Sequence, residues 1–298
     1  MSRGSHSPSL VTQVSRTLKE ECDLAPTERI LIAVSGGGDS QALLSVLARL
    51  RQQFGYELHA HGVDHGLRAE APGELALAQT LAESLGVPFT QTRLQLSDGG
   101  NLQERARDAR YQALEAVAEK LQLTSLATAH HADDRAETVL QRLLRGAGPP
   151  GLGVLPARDE SRIRPFLRSR KASIISHLQR HELTFASDPS NRDSRFLRVR
   201  VRNELIPLME SLSPRIVEHL NGLADDLLEE PLEGLSDRQG RPILLKRSQI
   251  EALRRARRLG QRHLSVPIDE KTEAGFSEQT GKLELRNARS WRKKPPGS

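Results

Sequence analysis

The sequence predicts an α/β protein: a doubly wound parallel sheet, then a helical region, then a small C-terminal domain. Three observations carry that prediction. Through the first half, short apolar runs of strand length alternate with segments whose apolar residues recur at helical spacing, the pattern of a parallel sheet covered on both faces. The apolar run Arg29–Val34 stops at Ser35-Gly36-Gly37-Gly38, and a helical pattern opens at once with Asp39-Ser40. At 298 residues the chain is long enough for two domains.

The elements follow in order. After the helix that starts at the glycines, Tyr56–Val63 alternates around Leu58, Ala60 and Gly62 and reads as a strand ending at Asp64-His65-Gly66-Leu67-Arg68. Pro72–Leu85 is helical and Gly86 stops it. Pro88–Leu94 is a short strand, and Asn101 caps a helix running to about Gln122. Thr124–Ala129 is a strand followed by His130-His131, after which Asp133 or Asp134 starts a helix to Arg145 that Gly146–Gly151 breaks. Helices are expected over Arg170–His181, Arg195–Met209 and Ser213–Leu228. Glu229–Pro242 reads as a connector, Ile243–Leu264 as strand then helix, and the residues beyond Leu264 as a polar tail. The domain boundaries drawn from this are 1–24 (extension and first helix), 25–160 (nucleotide domain), 161–228 (basic helical region) and 229–298 (short C-terminal region).

The formal charge of +6 is unevenly laid out. Residues 1–157 hold 15 Lys/Arg against 18 Asp/Glu, residues 158–202 hold 12 against 5, and residues 203–298 hold 17 against 15. A local basic segment points to a polyanion more than a high isoelectric point does, the alternative being a solvated Arg-rich face. One cysteine, Cys22, excludes a disulfide framework and a Cys-x-x-Cys centre. With no apolar leader in Met1–Ser9 and no membrane-length apolar stretch, a soluble cytoplasmic protein is expected. An aromatic content of 3 % argues against broad base-stacking platforms.

Ser35–Ser40 has the chemistry of a phosphate cradle. A glycine turn into a helix bares backbone N–H donors, the helix dipole adds partial positive charge, and missing Cβ atoms let an anion approach. No lysine follows the glycines, so this is not G-x-x-x-x-G-K-[ST], and it is not G-x-G-x-x-G. Further along, Asp134 and Glu137 share one face at the start of a helix and can hold an amine or act as a base; helix capping and metal ligation by the His/Asp cluster are the alternatives. Arg107 and Arg110 are suited to phosphate or carboxylate, or to pairing along their own helix. Arg195, Arg198 and Arg202 fall on one helix face and suit contacts along an RNA backbone, with Asp188 and Asn191 shaping the turn before them. The cradle, Asp64-His65 and His130-His131 all follow strands, so one crevice at the carboxyl ends of the sheet can gather them.

The run S-G-G-x-D-S resembles the PP-loop of the ATP pyrophosphatases, which grip the pyrophosphate end of ATP. With Val63–Arg68, Ala106-Arg107, Arg110-Tyr111, His130–Glu137, Arg145-Gly146, Gly151-Leu152, Arg164-Pro165 and Asp188–Pro207 in the same order, the first two-thirds of the chain resembles the tRNA(Ile)-lysidine synthetase family. The resemblance departs at Val199, where that family usually has Asn, and the C-terminal third matches weakly. It implies a PP-loop fold, ATP as substrate with Mg²⁺, free L-lysine, the tRNA(Ile) with a CAU anticodon, and a protein that is often a dimer. The implied ligase adenylates C2 of the wobble cytidine, and the ε-amine of lysine then displaces AMP. On that resemblance Ser35, Gly36, Gly37, Gly38, Asp39 and Ser40 grip ATP, with His65 and Arg68 near its nucleoside; Asp39 binds Mg²⁺ or helps hold lysine. Asp134 and Glu137 hold the lysine amine, Arg107 meets the lysine carboxylate or a phosphate, and Asp188, Asn191, Arg195, Arg198 and Arg202 contact the tRNA. The rival readings are a PP-loop tRNA thiolase, a small-molecule amide ligase, and a non-catalytic RNA-binding relative; a single cysteine disfavours the first.

Overall fold

The computed structural model describes residues 8–25, 27–66, 70–95, 102–186, 195–228, 245, 249–250, 252–253, 256, 265–268, 272–276 and 283–287. The chain divides into two compact units, Met1–Leu228 and Glu229–Ser298.

The first unit is built on a six-stranded sheet. Its strands are β1 (Arg29–Val34), β2 (Glu57–Asp64), β3 (Phe89–Arg93), β4 (Ser125–Ala127), β5 (Arg158–Asp159) and β6 (Arg162–Ile163), in the spatial order β3-β2-β1-β4-β6-β5. All neighbours pair in parallel except the edge hairpin β5–β6. That hairpin has no counterpart in the sequence reading, because two-residue strands leave no alternation to detect.

β1 sits centrally and is buried on both faces. Ile30, Ile32 and Val34 join a core with α1 (Leu10–Glu20), α2 (Gly38–Phe54), α3 (Ala71–Ser84) and α7 (Lys171–Arg180). Leu31 and Ala33 join a second core with Val63, Leu126 and Leu114 of α4 (Leu102–Lys120). The period of two along the strand therefore separates the two layers. A third core gathers α5 (Ala132–Leu144), α9 (Ile206–Leu212) and α10 (Ile216–Leu228), with Val154 after the short α6 (Pro149–Leu152). Ionic contacts cross these layers. Fully buried Arg135 bonds Asp225 at 2.6 Å and the Val154 carbonyl at 2.8 Å. Arg168 links the same Asp225 (2.6 Å) to Glu21 beyond α1 (2.6 Å).

From β1 the chain moves outward through β2 and β3, then returns to place β4 on the other side of β1. That reversal is the switch point where open α/β sheets bind ligands beyond the carboxyl ends of their strands. The chain after β1 is the glycine turn, and the chain after β4 is Thr128–His131.

The helix expected over Arg195–Met209 differs in form. It begins at Leu197 as α8 (Leu197–Arg200), passes through a π segment (Val201–Leu205) and continues as α9. Pro207 cannot donate to the helical ladder, and the wider turn precedes it.

In the second unit, residues 249–250, 252–253 and 256 are helical. A three-stranded antiparallel sheet follows, with β8 (Thr272–Phe276) between β7 (Ser265–Pro267) and β9 (Leu283–Asn287). Leu253, Ala256, Val266, Ala274 and Phe276 form its core. This corrects the expectation of a merely polar tail after Leu264. Each strand carries only one or two apolar residues, and buried Glu273 is held by the Ser265 hydroxyl at 2.5 Å.

Candidate active site

A crevice of about 830 Å³ opens at the switch point. Its floor is the glycine turn. Gly37 is the N-cap of α2 and contributes no side-chain cap, so the first N–H groups of that helix have no capping oxygen from it. The loop is internally tied: the Ser40 hydroxyl donates to the Gly37 carbonyl (2.9 Å) and accepts from the Ser35 N–H (3.1 Å). Gly36 has φ +77°, and a Cβ there would lie 2.1 Å from the Glu74 carbonyl oxygen of α3. Only glycine fits that turn without displacing backbone. The outer wall comes from much later in the chain: the Ala186 N–H donates to the Gly36 carbonyl at 2.9 Å, and Gln41 of α2 reaches the Thr184 carbonyl at 3.3 Å.

Across the crevice lies the start of α5. His131 is its N-cap and accepts the Asp134 N–H through Nδ1 (3.3 Å), while Asp134 Oδ2 accepts the His131 N–H (3.1 Å). The capping alternative weighed from the sequence is thus realised by one oxygen of Asp134. Its other oxygen takes Arg198 Nη2 at 2.6 Å, and the residue lines the crevice. Burial alone would raise its pKa; His131 and Arg198 outweigh burial and hold the carboxyl below the ordinary range. His130 bonds the Thr128 hydroxyl at 2.9 Å, and burial pushes it down to about 4, so it is neutral near pH 7.

Ser35, Gly37, Gly38, Asp39, Ser40, His65, Arg107, Asp134 and Arg198 all line this one crevice, Arg198 against the expectation of an RNA-facing row. Gly36 supports the turn from behind. Half-buried Arg110 joins them from α4, and burial lowers its pKa.

Two expectations are corrected. Glu137 does not face the crevice: at 1 % exposure it lies behind Asp134, accepting Arg198 Nε (2.8 Å) and both Nε (2.5 Å) and Nη2 (3.0 Å) of Arg202. Arg198 and Arg202 accordingly do not form an outward row along RNA; both turn inward to the acids, because two uncompensated carboxylates so close would repel. The bond to Glu137 raises the Arg202 pKa. Arg195 is exposed at the turn before α8, and Arg200 pairs with Glu204 at 3.1 Å. Asp39, expected at Mg²⁺ or lysine, bonds Lys171 Nζ at 2.5 Å. Arg68, Asp188 and Asn191 lie outside the described residues, as does the expected cap Asn101.

Sequence reasoning missed Lys171, Phe185 and the role of Asp133. Asp133 accepts the Lys171 N–H (2.8 Å) and the Arg170 guanidinium (3.0 Å), which pins the start of α7 to α5. Arg170 reaches on to Glu210 at 2.6 Å and Glu218 at 3.4 Å. No local pattern announces partners so far apart in sequence.

Asp39 also fits Mg²⁺, which typically takes one or two carboxylates along with phosphate oxygens and water. Among the described residues, no group of three or more His, Cys, Asp or Glu side chains is placed to hold a metal by itself. Among them, too, no helix is long and apolar enough to cross a membrane.

A family profile described as a PP-loop domain matches residues 8–209. The tRNA(Ile)-lysidine synthase of Pseudomonas aeruginosa is 43 % identical over 211 residues, covering 67 % of this chain and 47 % of that protein. The one from Novosphingobium aromaticivorans is 40 % identical over 207 residues, covering 67 % of this chain and 63 % of that protein. The chain thus spans roughly half to under two-thirds of the curated relatives it matches. Among solved structures, the U34-tRNA thiolase NcsA from Methanococcus maripaludis with its [4Fe-4S] cluster superposes with TM-score 0.64 at 19 % identity, covering 76 % of this chain and 82 % of that one. That likeness is one of fold.

Proposed function

This chain belongs to the PP-loop domain family, and from that premise we propose that it is a tRNA-modifying ligase that makes lysidine at the wobble cytidine of the tRNA(Ile) bearing a CAU anticodon. The observation that carries the reading is the placement of Asp134 across one crevice from an anion cradle, so that an amine held by the acid faces a nucleotide held by the loop. The relatives named tRNA(Ile)-lysidine synthase support the choice of substrates.

Two steps follow. The cytidine O2 attacks the α-phosphorus of ATP, the bond to the bridging oxygen breaks, and its electron pair leaves with pyrophosphate. The N–H groups at the start of α2, uncapped by a Gly37 side chain, suit that charge. Asp39, with nucleotide phosphate oxygens, would hold Mg²⁺, which would supply further neutralisation of phosphate charge. The lysine ε-ammonium gives one proton to solvent, the neutral amine attacks C2, the C2–O2 bond breaks, and its electron pair leaves with AMP. A carboxylate kept below its usual pKa is a weak base, so Asp134 chiefly grips the ammonium form and positions it. The nitrogen of the cationic adduct is far more acidic than the free ammonium, and Asp134 can accept its proton. Glu137 serves by anchoring Arg198 and Arg202 beside that acid. Arg107 and Arg110 meet a phosphate or the lysine carboxylate, and Arg195 with the 188–191 stretch contacts the RNA. A cytoplasmic location and a homodimer complete the reading; light scattering tests the dimer.

The thiolase alternative has little to work with. The 298 residues hold one cysteine, and Cys22 is buried, with burial and the nearby Glu21 charge pushing its thiol up to about 12.

The test is incubation with ATP, labelled lysine and the tRNA(Ile) transcript, followed by nucleoside analysis. Lysidine appears with the wild type and is absent with Asp134→Asn, while tRNA-dependent ATP–pyrophosphate exchange persists in the variant. Wild-type protein that adenylates the transcript yet never incorporates lysine overturns the proposal.

A further inference from the structure

The cradle lacks the lysine that many phosphate loops carry in sequence, and the fold supplies one from elsewhere. Lys171 is the first residue of α7, and its ammonium lies 2.5 Å from Asp39 Oδ1, in the first turn after the glycines. Both residues line the crevice. The base of the Lys171 side chain is fixed: its N–H is held by Asp133, its neighbour Arg170 is clamped by Asp133 and Glu210, and α7 is bonded to α2 through His177 Nε2 and the Ser45 hydroxyl at 3.1 Å. The tip is not buried, with 42 % of the side chain exposed.

An aspartate at the mouth of an anion site is a liability. Asp39 beside a triphosphate repels it unless a cation stands between them. We propose that Lys171 is one such cation, a phosphate-binding residue that, beside any Mg²⁺ at Asp39, bridges Asp39 and the pyrophosphate moiety of the nucleotide. The ammonium has three donors, so one can remain on Asp39 while the others reach phosphate oxygens. As the bond from the α-phosphorus to the bridging oxygen breaks, the electron pair moves onto pyrophosphate and Lys171 meets the growing charge while keeping its proton. The role belongs to a point charge on a flexible stem, and arginine at this place can substitute in part.

The inference deepens the nucleotide site of the proposed ligase and rests on that reading only for the identity of the leaving group. The experiment is therefore titration calorimetry with inorganic pyrophosphate and, separately, with AMP, in the absence of RNA and lysine. Loss of one charge-assisted contact predicts that K171M weakens pyrophosphate about tenfold. AMP binding stays within about twofold, since AMP lacks the pyrophosphate that Lys171 meets, and K171R recovers part of the loss. K171Q carries the same test should K171M not fold. Equal pyrophosphate affinity in wild type and K171M overturns the assignment, as does a parallel loss of AMP, or a wild type that binds no pyrophosphate. If the pyrophosphate contrast holds but the wild type forms no lysidine, Lys171 stands and the reaction proposed above falls.

Discussion

Substituting Gly36 with alanine is the sharpest perturbation of the cradle that leaves its charges alone. The new methyl carbon would sit 2.1 Å from the Glu74 carbonyl oxygen, 2.6 Å from its carbon and 3.0 Å from its Cα. All three are backbone atoms in the first turn of α3, so no side chain can swing aside. The residue must also hold φ +77°, which costs a non-glycine residue about 1 kcal/mol. Displacing packed backbone adds about 1–3 kcal/mol. The sum, about 2–4 kcal/mol, corresponds to a fall in melting temperature of roughly 4–16 °C for a unit of this size. Gly37→Ala is the internal control, because its Cβ meets only the Ser35 hydroxyl at 3.5 Å, an ordinary contact. Thermal unfolding followed by circular dichroism, without nucleotide, reads both variants. G36A melting within 2 °C of wild type (about 1 kcal/mol or less) would falsify the argument that the turn is locked by α3. A G37A variant as damaged as G36A would show that the collision is not the cause.

Further outcomes follow from the ionic contacts. Asp225→Asn leaves the fully buried Arg135 without its carboxylate and should cost about 3 kcal/mol of unfolding free energy in urea at pH 7. Burial would raise the Asp225 pKa, but Arg168 and Arg135 outweigh it and depress the value. The stabilisation is therefore present above the unfolded carboxylate pKa of about 3.9 and lost as pH falls through the folded value. The gap between wild type and D225N should close in acid; a constant gap from pH 7 to 3 contradicts the linkage. Glu137→Gln releases two part-exposed arginines that can turn to water, so its stability cost should be only about 1–2 kcal/mol. Its lysine KM should rise more than its ATP KM, and an E137Q enzyme with unchanged lysine kinetics would remove the anchoring role. Cys22 should resist thiol reagents at pH 8 in the folded protein and react on unfolding; rapid native labelling would show that its buried setting is wrong.

The order of strands and helices in the first unit, α6 and the β5–β6 hairpin aside, was legible in the chain because its signals are local. Arg29–Val34, the glycines and the helix after them occupy one continuous stretch, and hydrophobic period and turn chemistry report on such neighbours. Asp134 and Glu137 were correctly placed near a helix start, but spacing of three residues shows only a shared face, not its surroundings. Asp134 opens on the crevice while Glu137 sinks behind it, a difference set by the arginines of α8 and the π segment. The second sheet was illegible for a plainer reason: three- to five-residue strands with one or two apolar positions carry too little pattern.

The amino-acid sequence alone determined an α/β sheet with a phosphate cradle at its switch point and a basic segment downstream. It did so through contacts between residues a few positions apart. Tertiary structure alone decided that Lys171 meets Asp39 across 132 positions, and that Arg198 and Arg202 serve Glu137 from 61 and 65 positions away. A charge advertises no partner in the chain; it takes whichever opposite charge the packed layers bring within reach, because leaving either one alone in that setting costs more than pairing them.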